Sequence, residues 1–168
     1  MVGSTVFAPS NQAWARLGAR ANAFLFNTDT GKKYLRALLK YQIVPNVTLY
    51  SDEVYYGDEK MSKKLTGHGD NFHLELPTLL ERSVGVDVHT FKSWTTIVLN
   101  GQTSIGFQDA VGKNGVIQVP RSIPIPPHRK GEHPSELDGE ISVEELVERL
   151  QDYVEDEEDD GEYQDYEL

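Results

Sequence analysis

The chain has 168 residues, 38% hydrophobic and 10% aromatic, enough for one domain with a tail or at most two small domains. It has no cysteine, which excludes a disulfide framework, thiolate metal sites and a thiol nucleophile, and no apolar run long enough to span a bilayer. The formal charge of −11 is unevenly placed, with 13 Lys/Arg against 10 Asp/Glu in residues 1–128 and 3 against 17 in residues 129–168, so the body is slightly basic and the acidity belongs to the end.

Thr5-Val6-Phe7 is a short β-prone run. Pro9 stops it, because proline lacks a backbone donor and holds Ala8 in extended angles. Ser10 or Asn11 is placed to cap a helix whose Ala13, Trp14 and Leu17 share a face and which Gly18 ends. Phe24, Leu25 and Phe26 form a short apolar plug. Thr28 or Thr30 caps a second helix over 31–41, with Tyr34, Leu35, Leu38 and Leu39 as its apolar face and Lys32, Lys33, Arg36 and Lys40 outside. Residues 41–45 read as a buried strand closed by Pro45.

From residue 61 the period shifts towards two. Phe72, Leu74 and Leu76 alternate with His73 and Glu75, and Val84, Val86 and Val88 alternate with Gly85 and Asp87. Residues 95–107 carry a hairpin signal, β-branched runs around Asn100-Gly101, which favours a type I′ turn. A second Asn-Gly pair, Asn114-Gly115, introduces a last strand over 115–120, and the prolines of 123–127 stop further pairing. Residues 128–140 are a linker by composition. Ser142 and Glu145 fit a capping box, and Ile141 with Leu146 a hydrophobic staple, for an amphipathic helix over 141–155. Its apolar face is Val143, Leu146, Val147, Leu150, Tyr153 and Val154. Residues 156–168 form an acidic tail that reads as disordered, since like charges repel and little is available for burial. The body is therefore α+β: helices first, then a mostly antiparallel sheet.

Candidate chemistry is thin. His68, Asp70 and His73 lie close in sequence, but a metal needs several ligands converging at fixed geometry, and His73 alternates with apolar neighbours and reads as facing solvent. Asp109 precedes a glycine-bearing loop and reads as a turn-capping carboxylate rather than a general base. Residues 111–115 lack the Gly-Lys-Ser/Thr ending of a phosphate loop and precede a strand. Lys60, Lys63 and Lys64 form the only local basic cluster, which reads as a solvated loop, so no nucleic-acid partner is expected. No catalytic residue, metal ligand or cofactor is assigned. Asn46-Val47-Thr48 is an N-glycosylation sequon placed just past Pro45.

Three segments together resemble the fasciclin-like adhesion domain family: residues 5–14, with Thr5, Phe7, Pro9, Asn11 and Trp14; residues 41–52, with Tyr41 and Gln42; and residues 99–127, with Asn114, Gly115, Val116, Ile117 and Pro126. They frame residues 5–127, and within that family the chain is most similar to the second domain of tandem proteins from filamentous fungi. The resemblance implies a β-wedge of two small sheets with helices at one end, and a domain over residues 1–127. It implies a non-enzymatic adhesion, cell-wall or matrix module that binds protein partners and travels the secretory pathway to the cell surface, the exterior or the vacuole, with an upstream signal peptide. Phe7, Pro9, Tyr41, Ile117 and Val119 are expected to hold the core rather than touch a ligand. The alternative is an intracellular interaction protein that uses the acidic tail and the 142–154 helix to dock in a partner's groove.

Two departures stand out. The family histidine after the central tyrosine is Gln42 here, and a second family histidine is Gln118. Glutamine also donates and accepts, so the fold is expected to survive. The helices that precede the first strand in the family have no counterpart in this chain, which reads as part of a longer tandem protein. Phe7, Trp14 and the Phe24 plug are then the expected exposed apolar sites.

Overall fold

The computed structural model describes residues 3–57, 61–65, 71–92, 94–127 and 140–154. Lys60, His68, Asp70, His128, His133, nearly all of the linker and the acidic residues from 155 onward lie outside these.

Strand β1 (Ser4–Phe7) stops before Pro9, and three helices follow: α1 (Asn11–Leu17), α2 (Ala19–Asn27) and α3 (Asp29–Tyr41). Ser10 is the cap of α1, its hydroxyl accepting from the Ala13 N–H at 3.3 Å, while Asn11 is the exposed first residue. Gly18, at φ 105, ends α1 and opens α2. Helix α2 replaces the expected plug. Its three alanines favour helix, and three adjacent apolar residues carry no period by which to read one. Once wound, they point apart: Leu25 is buried, Phe24 leans on Tyr34 with ring centroids 5.6 Å apart, and the half-exposed Phe26 meets the edge of Trp14 at 5.5 Å.

Thr28 caps α3, accepting from the Gly31 N–H at 2.9 Å. The buried stripe of α3 is Gly31, Ala37, Leu38 and Tyr41, flanked by half-buried Tyr34 and Leu35. Leu39, expected on this face, is exposed, because one residue past Leu38 is a rotation of about 100° on a helix.

The strands are β2 (Ile43–Pro45), β3 (Val47–Leu49), β4 (Glu53–Tyr56), β5 (Met61–Lys64), β6 (Asn71–Pro77), β7 (Ser83–Phe91), β8 (Trp94–Leu99), β9 (Thr103–Gly112) and β10 (Gly115–Pro120). They form a seven-stranded sheet in the order β2-β1-β10-β9-β8-β7-β6 and a three-stranded sheet in the order β3-β4-β5. All pairings are antiparallel except β1 with β10, where Thr5 lies opposite Val116 and Val6 opposite Ile117. At that parallel seam a Cβ on Gly115 would overlap the Ser4 carbonyl, so only glycine fits.

Asn100 and Gly101 take φ 52 and 67, and the Gln102 N–H donates to the Leu99 carbonyl at 3.0 Å, the type I′ turn expected. The second Asn-Gly pair behaves differently. The turn residues there are Lys113 and Asn114, neither at positive φ, and Gly115 already belongs to β10. Gly115 answers close approach to β1 rather than turn chemistry.

The inner face of the large sheet, with Phe7, Val84, Val86, Val88, Ile97 and Leu99, packs with the helices into one core. Helix α4 (Val143–Val154) joins that core: Leu146 and Leu150 are fully buried, and α4 packs against α3 and α2. Ser142 accepts from the Glu145 N–H at 3.1 Å, and the Ile141 N–H donates to the Leu17 carbonyl at 3.2 Å. Arg149, not expected on the buried side, lies there paired with Glu145 at 2.5 Å.

The expected exposed apolar sites are corrected. Phe7 is fully buried, and Trp14 and Phe24 are half-buried. Among the described residues the large exposed apolar side chains include Phe91, Trp94, Phe107, Val111 and Ile117. Ile117 and Val119 were expected in the core. With a period of two, Val116, Gln118 and Pro120 take the inner face of β10 instead, leaving Ile117 exposed and Val119 half-buried.

Candidate functional site

Polar groups from all three family-like segments meet at a seam between the two sheets. The Thr5 hydroxyl donates to the Val47 carbonyl at 2.8 Å and accepts from the Leu49 N–H at 2.9 Å, stitching β1 to β3. Gln118, fully buried on β10, uses its whole amide. Its Oε1 accepts from the Asp109 N–H at 3.1 Å, and its Nε2 donates to the Leu49 carbonyl and to Asp109 Oδ1, both at 2.8 Å. Asp109, held at φ 61 within β9, also accepts from the N–H of Ser51 at 3.0 Å and from its hydroxyl at 2.5 Å. It therefore caps a turn, but one 58 residues away. Its oxygens are committed to Ser51 and Gln118, which fits a structural clamp better than a base.

A second knot holds the other end of the large sheet. The Tyr41 hydroxyl accepts from Asn100 Nδ2 at 2.9 Å and lies 3.3 Å from the Ser83 carbonyl. Asn100 also accepts from the Gly85 N–H at 3.0 Å and donates to the Ile125 carbonyl at 3.3 Å, so the turn residue gathers α3, β7 and the proline-rich exit. Burial pushes the Tyr41 phenol up to about 12, against a smaller downward pull from the Asn100 hydrogen bond. Gln42 is buried beside it. Its carbonyl accepts from the Phe7 N–H at 2.8 Å, while its side-chain Nε2 finds no acceptor among the described residues.

The remaining quoted residues divide by position. Pro9 is half-buried, Pro126 and Val116 are buried, and Asn114 is exposed, its carbonyl accepting from the Ser4 N–H at 3.2 Å. Asn46 is exposed in the turn between β2 and β3, at φ 60, with Thr48 half-buried on β3. The sequon thus stands on an open turn.

An open cleft of about 570 Å³ lies over β6 and β7 beside Asn100. His73 sits there, Nδ1 2.7 Å from Asp87 and Nε2 3.1 Å from Glu75, above the open floor left by Gly85. The hydrogen bonds to Asp87 and then Glu75 raise the His73 pKa. With both ring nitrogens engaged by carboxylates, the imidazole is not positioned to take a proton from a hydroxyl. Among the described residues no set of three His, Asp or Glu side chains is arranged to hold a metal ion. The expectation that His73 faces solvent from a strand agrees with its exposure. Its pairing with Asp87 was not anticipated, although β6 and β7 read as adjacent alternating strands and make such a cross-strand pair a natural question.

The sequence profile of the Fasciclin domain family matches residues 2–122. A curated protein similar to this chain is the aurofusarin biosynthesis cluster protein S of Gibberella zeae, 35% identical over 176 aligned residues that cover 91% of this chain and 43% of the relative. The chain spans less than half the length of that relative, and the alignment extends past the segment that the family profile matches. Among solved structures, the FAS1 domain pair of the insect cell adhesion molecule fasciclin I aligns at 19% identity with a TM-score of 0.48, over 73% of this chain and 37% of that one.

Proposed function

The chain belongs to the fasciclin domain family, and from that membership we propose that it is a non-enzymatic adhesion module of the cell surface, cell wall or secretory pathway. The family match over residues 2–122 carries the reading. The use of the motif side chains supports it. Thr5 bonds to the backbone of β3, Tyr41 to Asn100, and Gln118 and Asp109 to each other and to backbone, so they serve as scaffold, and partner contact falls to the outer surfaces. The proposed partner is a protein or a wall or matrix component. The domain occupies residues 1–127, with the linker, helix α4 and the acidic tail after it. Asn46 is the proposed glycan site, favoured by its exposed turn.

The test has two arms. Immobilised full chain is expected to retain cells or wall fragments, and retention no better than on the heat-denatured protein sinks the adhesion reading. The mass of native material before and after deglycosylation is expected to differ by a glycan that Asn46→Gln removes. An unmodified Asn46 sinks the glycan assignment and favours the intracellular alternative. That alternative needs a free apolar face on α4, whereas Leu146 and Leu150 are already buried against α2 and α3.

A second reading rests on the relative, whose name assigns it to a biosynthesis cluster. By that likeness the chain serves such a cluster as a non-catalytic member. Gene disruption is then expected to change the set of biosynthetic products, and an unchanged set excludes it.

A further inference from the structure

Several exposed apolar side chains left out of the core gather at one end of the seven-stranded sheet. Phe91 ends β7, Trp94 starts β8, and the two are paired across the hairpin while 69% and 77% exposed. The β8–β9 register, with Val98 opposite Ser104, runs on to the same end, where Gln108 Nε2 donates to the Thr95 carbonyl at 3.0 Å. That brings Phe107 and Val111 of β9, 61% and 74% exposed, to the level of the hairpin tip and beyond it.

Lysines interleave with these rings. Lys92 occupies the β7–β8 tip, its Nζ 5.4 Å from the centre of the Phe91 ring. Lys63 lies at 5.4 Å over Phe72 of β6, at the same end of the sheet, and Lys113 occupies the β9–β10 tip. None of these three makes an ion pair among the described residues.

The opposite end is different in kind. Tyr41 at the close of α3 bonds to Asn100 and lies by Ser83, the first residue of β7, and β7 then spans about 26 Å to Phe91 at roughly 3.3 Å per residue. Helix α4 packs on α3 and leads directly into residues 155–168, which contain nine acidic and no basic residues. The acidic run follows α4 in sequence, and the described aromatic and cationic side chains lie at the tips of the sheet, at the far end of β7 from Ser83.

We propose that these tips are a lipid-contact surface. Phe91 and Trp94 enter the headgroup region of an anionic bilayer, and Lys63, Lys92 and Lys113 face its phosphates. Indole and phenyl rings beside lysines suit that boundary, because the rings prefer the interfacial layer while flexible lysine stems keep their ammonium groups at the charged plane. Anionic headgroups supply the charge that these lysines complement. Hairpin tips reach a flat surface without needing a groove in the partner. The contact lies on the membrane and does not span it, and it stands apart from the adhesion reading.

The experiment uses the full chain carrying Trp14→Phe, so that Trp94 is the sole indole. Vesicles of phosphatidylcholine and phosphatidylserine at 70:30 are titrated in, with pure phosphatidylcholine as comparison. Expected are a blue shift of Trp94 emission and co-sedimentation with the anionic vesicles only. In the chain with native Trp14, Phe91→Ser with Trp94→Ser is expected to weaken co-sedimentation at least tenfold. Lys92→Glu with Lys113→Glu should weaken it comparably, with circular dichroism melts unchanged for these exposed positions. No vesicle binding overturns the proposal, as does binding that survives both double substitutions. Self-association lost with Trp94→Ser, without vesicle binding, would give the surface to a second copy of the chain and overturn it too.

Discussion

Gln118 has every polar atom of its amide spoken for, by Asp109, Leu49 and the backbone of β9, in a site with no access to water. Replacing it with leucine keeps the volume but strands the Leu49 carbonyl and the Asp109 N–H. A buried polar group left unpaired costs about 1–3 kcal/mol, so Gln118→Leu is expected to lose about 2–3 kcal/mol in urea unfolding. A loss below the error of the measurement would mean that the seam is not a structural clamp. His73 gives a prediction of the opposite sort, on titration rather than stability, because it is exposed. Its folded pKa is raised above its ordinary value of 6.5, first by Asp87 and then by Glu75. The favourable contact is therefore complete below about 6.5 and fades as pH rises through the folded pKa. By NMR titration, Asp87→Asn should lower the His73 pKa more than Glu75→Gln does. The reverse order would assign the cluster wrongly.

At the scale of elements, β1 and β3 are joined through one hydroxyl. Thr5→Val removes it with little change in shape, leaves the Leu49 N–H and the Val47 carbonyl without that partner, and is expected to cost about 1–3 kcal/mol. Thr5→Ser retains the hydroxyl and should recover most of the loss. If valine and serine are equally mild, the stitch contributes little. The stitch also marks the boundary of what the sequence discloses. The Asn100-Gly101 hairpin, the Ser142 cap and the alternation of β6 and β7 are local patterns, so they were legible. Thr5 reaches Val47 across 42 residues and Asp109 reaches Ser51 across 58, and neither separation leaves a local trace. Helix α2 was hidden because Phe24, Leu25 and Phe26 are adjacent, which shows hydrophobicity without period. Ile117 misled for a related reason: a place in a family motif says nothing about which face of β10 a residue takes, whereas the burial of Val116 and Gln118 does.

For the whole molecule, the shared core predicts that α4 and the fasciclin body unfold as one unit. The family profile stops at residue 122, yet Leu146 and Leu150 are fully buried and belong to the same core as Phe7 and Leu38. The 35% identical relative aligns over 91% of the chain, further than the family profile reaches. Burying a leucine contributes about 1.5–3 kcal/mol by transfer, and leucine-to-alanine changes in tight cores cost about 2–5 kcal/mol because a cavity is added. Leu150→Ala is thus expected to lower the stability of the entire body by an amount in that range. Far-ultraviolet circular dichroism and Tyr/Trp fluorescence should still report one coincident transition. Two separate transitions, with only the earlier one moved by Leu150→Ala, would show that α4 melts on its own and that the core formed by residues 3–127 stands without it. Removal of residues 132–168 gives the same answer from the other direction: a lowered unfolding midpoint joins α4 to the body, and an unchanged one separates them.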